Sequence, residues 1–163
     1  PANGPLIEEG SVSFAVYGTL DAPGATRGLR SRLKAGDPLV AELLIPARNP
    51  EQQLPADELP TVTVKWPDGT ERTLPSDVRV RFDEPFSQTS YVRIAELRDT
   101  VTVPGTYEFT VTGPTPVRFT FVTGITEGIP GTVTGAEPAP EGGIATWYAT
   151  PPPSVAKIGR AHV

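Results

Sequence analysis

The sequence predicts an all-β fold, an antiparallel β-sandwich of jelly-roll-like type with about eight or nine strands and an extended Pro- and Gly-rich C-terminal tail. Short segments alternate apolar and polar residues with the period of two of a strand that buries one face. Turn signals separate these segments, in a chain with 20 Pro and 16 Gly. Helical patterns are poor. The best candidate, residues 51–59, contains Pro55 and is followed by Pro60, so we expect a loop or a single turn there.

The predicted strands share this alternation, except that residues 39–45 are more continuously apolar, as is typical of a strand near the centre of a sheet. Residues 104–124 are interpreted as a β-hairpin, because two alternating runs flank the Pro-containing turn 113–116. Arg118 and Thr120 fall on the polar face of this hairpin, which we expect to be exposed. The strands are predicted at residues 11–18, 39–45, 61–66, 70–74, 78–82, 91–97, 100–103, 107–111 and 117–121.

Residues 1–123 are predicted to form the sandwich domain and residues 124–163 a tail or stalk. Within the latter, residues 124–154 contain six Pro and six Gly, and such a segment buries too little apolar surface to offset its ordering entropy. The same segment holds an aromatic patch at residues 144–148. Two interpretations remain open: the patch packs back on the sandwich, or the tail is a stalk or anchor that docks on a partner.

Composition narrows the class of protein. The 163 residues suffice for one domain, and no apolar run approaches the length of a membrane span. With a net charge of −5 and scattered Arg residues, the chain lacks the basic face of a nucleic-acid binder. The absence of Cys excludes disulfides, thiolate metal sites and cysteine nucleophiles. Because the chain starts with Pro and not Met, we expect that a signal peptide, a tag or a neighbouring domain preceded it. These features predict a bacterial extracytoplasmic protein, either periplasmic, cell-surface or secreted.

The residue inventory argues against an enzyme. The only histidine is His162, next to the C-terminal residue, and no G-x-S-x-G turn or S-x-x-K motif is present. Acidic neighbours such as Asp83 and Glu84 point to opposite faces of a strand, so they do not form the facing pair that glycoside hydrolysis needs. No catalytic residue and no cofactor are therefore predicted.

Calcium binding is a minority prediction. Calcium takes oxygen ligands from loops, and Asp83 and Glu84 with residues 87–89, or Asp37 near Asp68, could supply them. No D-x-D-x-D-G spacing is present, however, and solvated acidic loops are the alternative.

The candidates for surface contacts are aromatic and arginine side chains. Trp66 is in phase with Val62 and Val64 and is assigned to the core, whereas Tyr91 and Trp147 are expected to be exposed, where a flat ring can stack on a sugar. The Arg- and Thr-rich strand faces are either ordinary solvated surface or a polar docking face. The surface-contact candidates are Tyr91, Arg93, Arg118, Trp147 and Tyr148.

Two segments carry a resemblance to a known family. Residues 29–43, LRSRLKAGDPLVAEL, and residues 102–111, TVPGTYEFTV, with VTVKWPDG at 62–69 between them, resemble bacterial pre-peptidase C-terminal (PPC-type) domains. The resemblance covers about residues 29–123. It implies a jelly-roll-like sandwich in a secreted or envelope protein that serves as a non-catalytic accessory or binding module.

Two functions are carried forward from the sequence. The first is a non-catalytic extracytoplasmic interaction module or accessory subunit that contacts partner proteins of an envelope or secreted assembly. The alternative is a carbohydrate- or cell-wall-binding module, with calcium as a possible aid.

Overall fold

Two β-sheets packed face to face form the fold, which confirms the predicted all-β sandwich. The computed structural model describes residues 4–85, 87–126, 133–135 and 141–154. In order across the sheet, the six-stranded sheet contains β11 (Val133–Thr134), β1 (Leu6–Ile7), β3 (Thr26–Leu33), β9 (Gly105–Thr112), β5 (Thr61–Lys65) and β6 (Glu71–Leu74). The five-stranded sheet contains β2 (Phe14–Leu20), β10 (Val117–Thr123), β4 (Pro38–Pro46), β8 (Thr89–Thr100) and β7 (Val80–Glu84). Neighbouring strands are antiparallel apart from the parallel pair β1 and β3.

The predicted hairpin at residues 104–124 is wrong. Strand β9 pairs with β3 and β5 in one sheet, whereas β10 pairs with β2 and β4 in the other, so residues 113–116 carry the chain between the two layers. The physical reason is that alternation identifies which face of a strand is buried, but it contains no information on which strand lies beside it.

The core lies between the sheets and confirms the buried faces that alternation predicts for β9 and β10. Tyr107 and Phe109 of β9 meet Phe119 and Phe121 of β10 there, and the rings of Phe109 and Phe121 lie 5.1 Å apart. Strand β4 is the middle strand of its sheet, as its continuous apolar character predicts. Trp66 packs against this core, with its ring 6.0 Å from that of Tyr107.

Three local expectations can be compared directly with the structure. Residues 51–59 form two single-turn 3-10 helices, Glu51–Gln53 and Ala56–Glu58, which confirms the expected loop or turn. Residues 100–103 form no separate strand, because Thr100 ends β8. Strand β3 was not predicted, because the polar Ser31 interrupts the apolar face of Leu29 and Leu33, although all three side chains are buried.

The C-terminal segment is partly helical and not wholly extended. Helix α1 (Gly143–Ala149) starts after Gly142, whose φ of 74° is a left-handed conformation, and residues Pro151–Pro153 exclude its continuation. Strand β11 pairs with β1, so this part of the segment also contacts the sandwich. The rest of the predicted tail, residues 127–132, 136–140 and 155–163, lies outside the described residues. Neither α1 nor any other helix of the described part is long and apolar enough to cross a membrane.

Candidate interaction surface

Arg118 is buried, and the exposure predicted for it is wrong. Its side chain projects from the outer face of the five-stranded sheet and is 1% exposed. Its Nε and Nη2 atoms donate to the two carboxylate oxygens of the fully buried Glu51, at 2.8 and 2.7 Å. Nη2 also donates to the carbonyl oxygen of Asn49, at 3.1 Å, and Nη1 donates to that of Tyr148. Arg118 therefore holds the first 3-10 turn and the end of α1 on strand β10.

Tyr91 is likewise buried, at 2% exposure, so the exposed position predicted for it is also wrong. Its ring stacks on that of Trp147, with 6.3 Å between centroids, and Trp147 meets the ring of Tyr17 edge-on at 5.3 Å. The indole nitrogen of Trp147 donates to the carbonyl oxygen of Gly18, at 2.8 Å. Burial raises the pKa of Tyr91 to about 12. Helix α1 covers Tyr91. The prediction failed because the residue pattern of strand β8 does not indicate that a distant helix packs on it.

Tyr148 completes this aromatic cluster. Its hydroxyl group bonds both the backbone N–H and the carbonyl oxygen of Ser90, each at 3.1 Å. The guanidinium carbon of Arg48 lies 5.1 Å from the centre of its ring. The aromatic patch therefore packs back on the sandwich, which is the first of the two interpretations left open by the sequence. Trp147 and Tyr148 are half-buried and contact each other and, in the case of Tyr148, the ring of Tyr91.

Arg93 remains partly accessible in a network of ion pairs on the same outer face. It lies 3.5 Å from carboxylate oxygens of both Glu42 and Glu96, and Arg98 contacts the same two residues at 3.1 and 3.3 Å. Glu42 and Glu96 face each other across β4 and β8. Burial is the main cause of the raised pKa of Glu42, and its hydrogen bond with Glu96 raises this pKa further. That same bond is the main cause of the lowered pKa of Glu96. The network is a cluster of charged side chains that links β4 and β8 on this face of the sheet.

Three of the acidic residues considered for calcium cap their own turns. The side-chain oxygens of Asp37, Asp68 and Glu84 accept backbone N–H groups from Lys34, Thr70 and Ser87. No group of three or more Asp, Glu or His side chains that could hold a metal ion occurs among the described residues. Calcium binding stays a prediction.

Strand β7 presents the surface that the sequence did not single out. It is the last strand of the five-stranded sheet, and within the described residues it pairs with β8 alone. The alternation of residues 78–82 predicted a strand with one buried apolar face, but Val78, Val80 and Phe82 are 40%, 46% and 47% exposed. Of the large apolar side chains that are exposed in the described part of the chain, only Ile125 lies elsewhere. The alternation of residues 78–82 by itself does not show whether this strand lies at the edge of a sheet or inside it.

The side of β7 that faces away from β8 carries backbone groups that point outward. Ser90 lies opposite Asp83, but its carbonyl oxygen accepts from the N–H of Ala47, at 2.8 Å, and its N–H donates to Tyr148. In an antiparallel pair, residues that face each other exchange either both backbone bonds or neither. Asp83 therefore directs its N–H and C=O away from β8, and by alternation Arg81 does the same.

The charged side chains of this edge form a local pair. Arg81 Nε lies 3.2 Å from Asp83 Oδ1, and both side chains are largely exposed. The hydroxyl of Ser90 donates to the same oxygen of Asp83, at 2.6 Å, and this bond is the main cause of the lowered pKa of Asp83. The edge thus combines exposed apolar side chains, backbone groups that point outward and one cation beside one anion.

Comparison with known proteins leaves the family of this chain open. No protein-family model matches the chain, and no curated protein does. Among solved structures, the chain is similar to PliG of Aeromonas hydrophila, a periplasmic lysozyme inhibitor of g-type lysozyme, with 11% identity and a TM-score of 0.40. The match covers 74% of this chain and 97% of that one. A likeness of this degree assigns no activity to the present chain, so the candidate surface is defined by its geometry alone.

Proposed function

We propose that this chain is a non-catalytic, extracytoplasmic interaction module that binds a partner protein through the β7 edge, residues 78–84. One observation carries the proposal: Val80 and Phe82 of the edge strand β7, and Val78 just before it, are large apolar side chains that are exposed together. Natural proteins usually protect such edges, because unpaired N–H and C=O groups beside apolar side chains invite another strand. An edge that is exposed and apolar is therefore the expected form of a surface that another chain covers.

The interaction module is favoured over the carbohydrate-binding alternative by the positions of the aromatic residues. Sugar stacking needs an exposed ring face, whereas Tyr91 is buried and Trp147 is held between Tyr17 and Tyr91. The extracytoplasmic location is supported by the Cys-free, Pro-rich composition and by the resemblance to PPC-type domains. The non-catalytic role is supported by the residue inventory, with a single His next to the C-terminal residue.

The test compares capture by wild-type and edge-variant baits. The full chain is immobilised and exposed to an extracytoplasmic protein fraction of the source cells, next to the double variant Val80→Thr, Phe82→Thr, which keeps residues that favour strands. A matched control, Glu71→Thr with Arg72→Thr, alters the exposed edge strand β6 of the other sheet. We expect a protein that the wild type and the β6 control retain and the β7 variant loses. Equal capture by all three baits would refute β7 as the binding surface.

A further inference from the structure

We infer that the partner of the β7 edge is a second copy of this chain, joined through antiparallel pairing of β7 with β7 about a two-fold axis at Phe82. This inference rests on the proposed function and names the partner of that surface. The two five-stranded sheets would then continue into one sheet across the axis. Such an interface is isologous, because each copy offers the same strand to the other.

The direction of the backbone groups permits this pairing. Arg81 and Asp83 point their N–H and C=O groups outward, so in the dimer they form the hydrogen-bonded positions. Phe82 then faces Phe82 of the second copy as a non-hydrogen-bonded pair. Side chains approach each other most closely in pairs of that kind, and aromatic cross-strand pairs are favourable. The exposed ring of Phe82 would be covered by its own symmetry mate.

The charged residues favour this register over the registers in which the two-fold axis lies at Val80, Arg81 or Asp83. The segment Arg81-Phe82-Asp83 carries a cation on one side of Phe82 and an anion on the other. A two-fold axis at Phe82 therefore places Arg81 of each copy opposite Asp83 of the other, twice. An axis at Arg81 places two arginines face to face, an axis at Val80 places Arg79 against Arg81, and an axis at Asp83 places two carboxylates together. Like charges directly opposite each other destabilise a strand pair, and of these four axes only the one at Phe82 places no like charges opposite each other.

The absence of Cys permits a direct test of the register. Single variants Phe82→Cys, Val80→Cys and Glu71→Cys of the full chain are oxidised under the same conditions, and covalent dimers are measured on non-reducing gels. In the proposed dimer the two residues 82 lie about 4.5 Å apart between Cα atoms, within disulfide range. The two residues 80 are separated by four positions along the strands, roughly 13 Å, which is too far. We expect a rapid disulfide dimer for Phe82→Cys only, with Glu71→Cys reporting the rate of random collision.

A charge exchange tests the same dimer without a covalent bond. Sedimentation velocity over a range of concentrations measures the dimer constant of the wild type, Arg81→Asp, Asp83→Arg and the double exchange. Each single variant places like charges opposite each other, so we expect at least a ten-fold weaker dimer, and the double exchange should restore the wild-type value. Because both side chains are largely exposed, the single variants should fold normally, which circular dichroism checks.

Two results would overturn the inference. One is a wild-type chain that stays monomeric at every concentration while the three Cys variants cross-link at the same slow rate. The other is a dimer that neither β7 charge variant weakens. In either case the capture experiment decides separately on the proposed function. A protein lost only by the β7 variant would keep the edge as a binding surface for a different partner.

Discussion

The tripeptide Val-Arg-Phe occurs twice in this chain, once in β7 and once in β10, and the two copies have opposite environments. In β10, Val117, Arg118 and Phe119 are all buried. In β7, residues 80–82 are all exposed, and Arg81 pairs with Asp83 two residues along the strand. The three side chains and their alternation are the same. What differs is the face that the apolar side chains occupy and the position of the strand in the sheet. Phe82 lies opposite Tyr91 on the outer face, whereas Phe119 lies in the core between the sheets.

The difference shows that the elements packed against a strand determine whether its side chains are buried or exposed. Strand β10 lies between β2 and β4, and helix α1 and the turn at Glu51 close over its outer face. Strand β7 ends the same sheet and pairs only with β8 among the described residues. The arginine of the tripeptide is therefore a buried structural residue in β10, as Arg118, and an exposed charge in β7, as Arg81.

The largest expected effect comes from the two phenylalanines of these tripeptides. Phe119→Ala should reduce the free energy of unfolding by about 3–5 kcal/mol, because it leaves a cavity between the sheets. Phe82→Ala should cost under about 1 kcal/mol in the monomer, because it removes an exposed ring. Chemical denaturation at low protein concentration measures both. Similar costs for the two variants would contradict the contrast between the strands.

The second effect concerns the two arginines. Glu51→Gln leaves the buried guanidinium of Arg118 without a compensating charge, so we expect a loss of about 3 kcal/mol of unfolding free energy. Glu8→Gln is the matched control, because Glu8 pairs with Arg32 at the surface and should contribute less than about 1 kcal/mol. Denaturation curves of both variants provide the measurement. A loss at Glu51 as small as that at Glu8 would show that the buried pair is not what stabilises this region.

The smallest of the three effects concerns helix α1, which lies over the outer face of β10. Trp147→Ala removes the ring contacts with Tyr17 and Tyr91 and the hydrogen bond to Gly18, so we expect a loss of about 2 kcal/mol. Chymotrypsin should then cut faster at Tyr148, as α1 separates from the sheet. Thr146→Ala serves as the control, because Thr146 is exposed on the same helix. An unchanged rate of cleavage in Trp147→Ala would mean that the tryptophan does not anchor α1.

The candidate surface could not have been located from the sequence, although its residues are easy to find there. Val78, Val80 and Phe82 have the spacing of a buried face, and the same spacing in β9 and β10 does mark buried faces. Exposure of Tyr91 and Arg118 was expected because each lies on the side of its strand away from the core. Helix α1 covers both side chains. It lies close to 60 residues after Tyr91 and 30 residues after Arg118 in the sequence. A local sequence pattern contains no information on contacts between residues so far apart in the chain.

Alternation, turn residues and charge were sufficient to predict an all-β sandwich, the core faces of β9 and β10, the central place of β4 and the turns at residues 51–59. These are local properties, because a period of two and the backbone restrictions of Pro and Gly act within a few residues. Only the tertiary structure decided that β9 and β10 lie in different sheets, that Arg118 is buried and that Phe82 is exposed. Each of these depends on which strands and helices become neighbours, and that is determined by the burial of the whole chain.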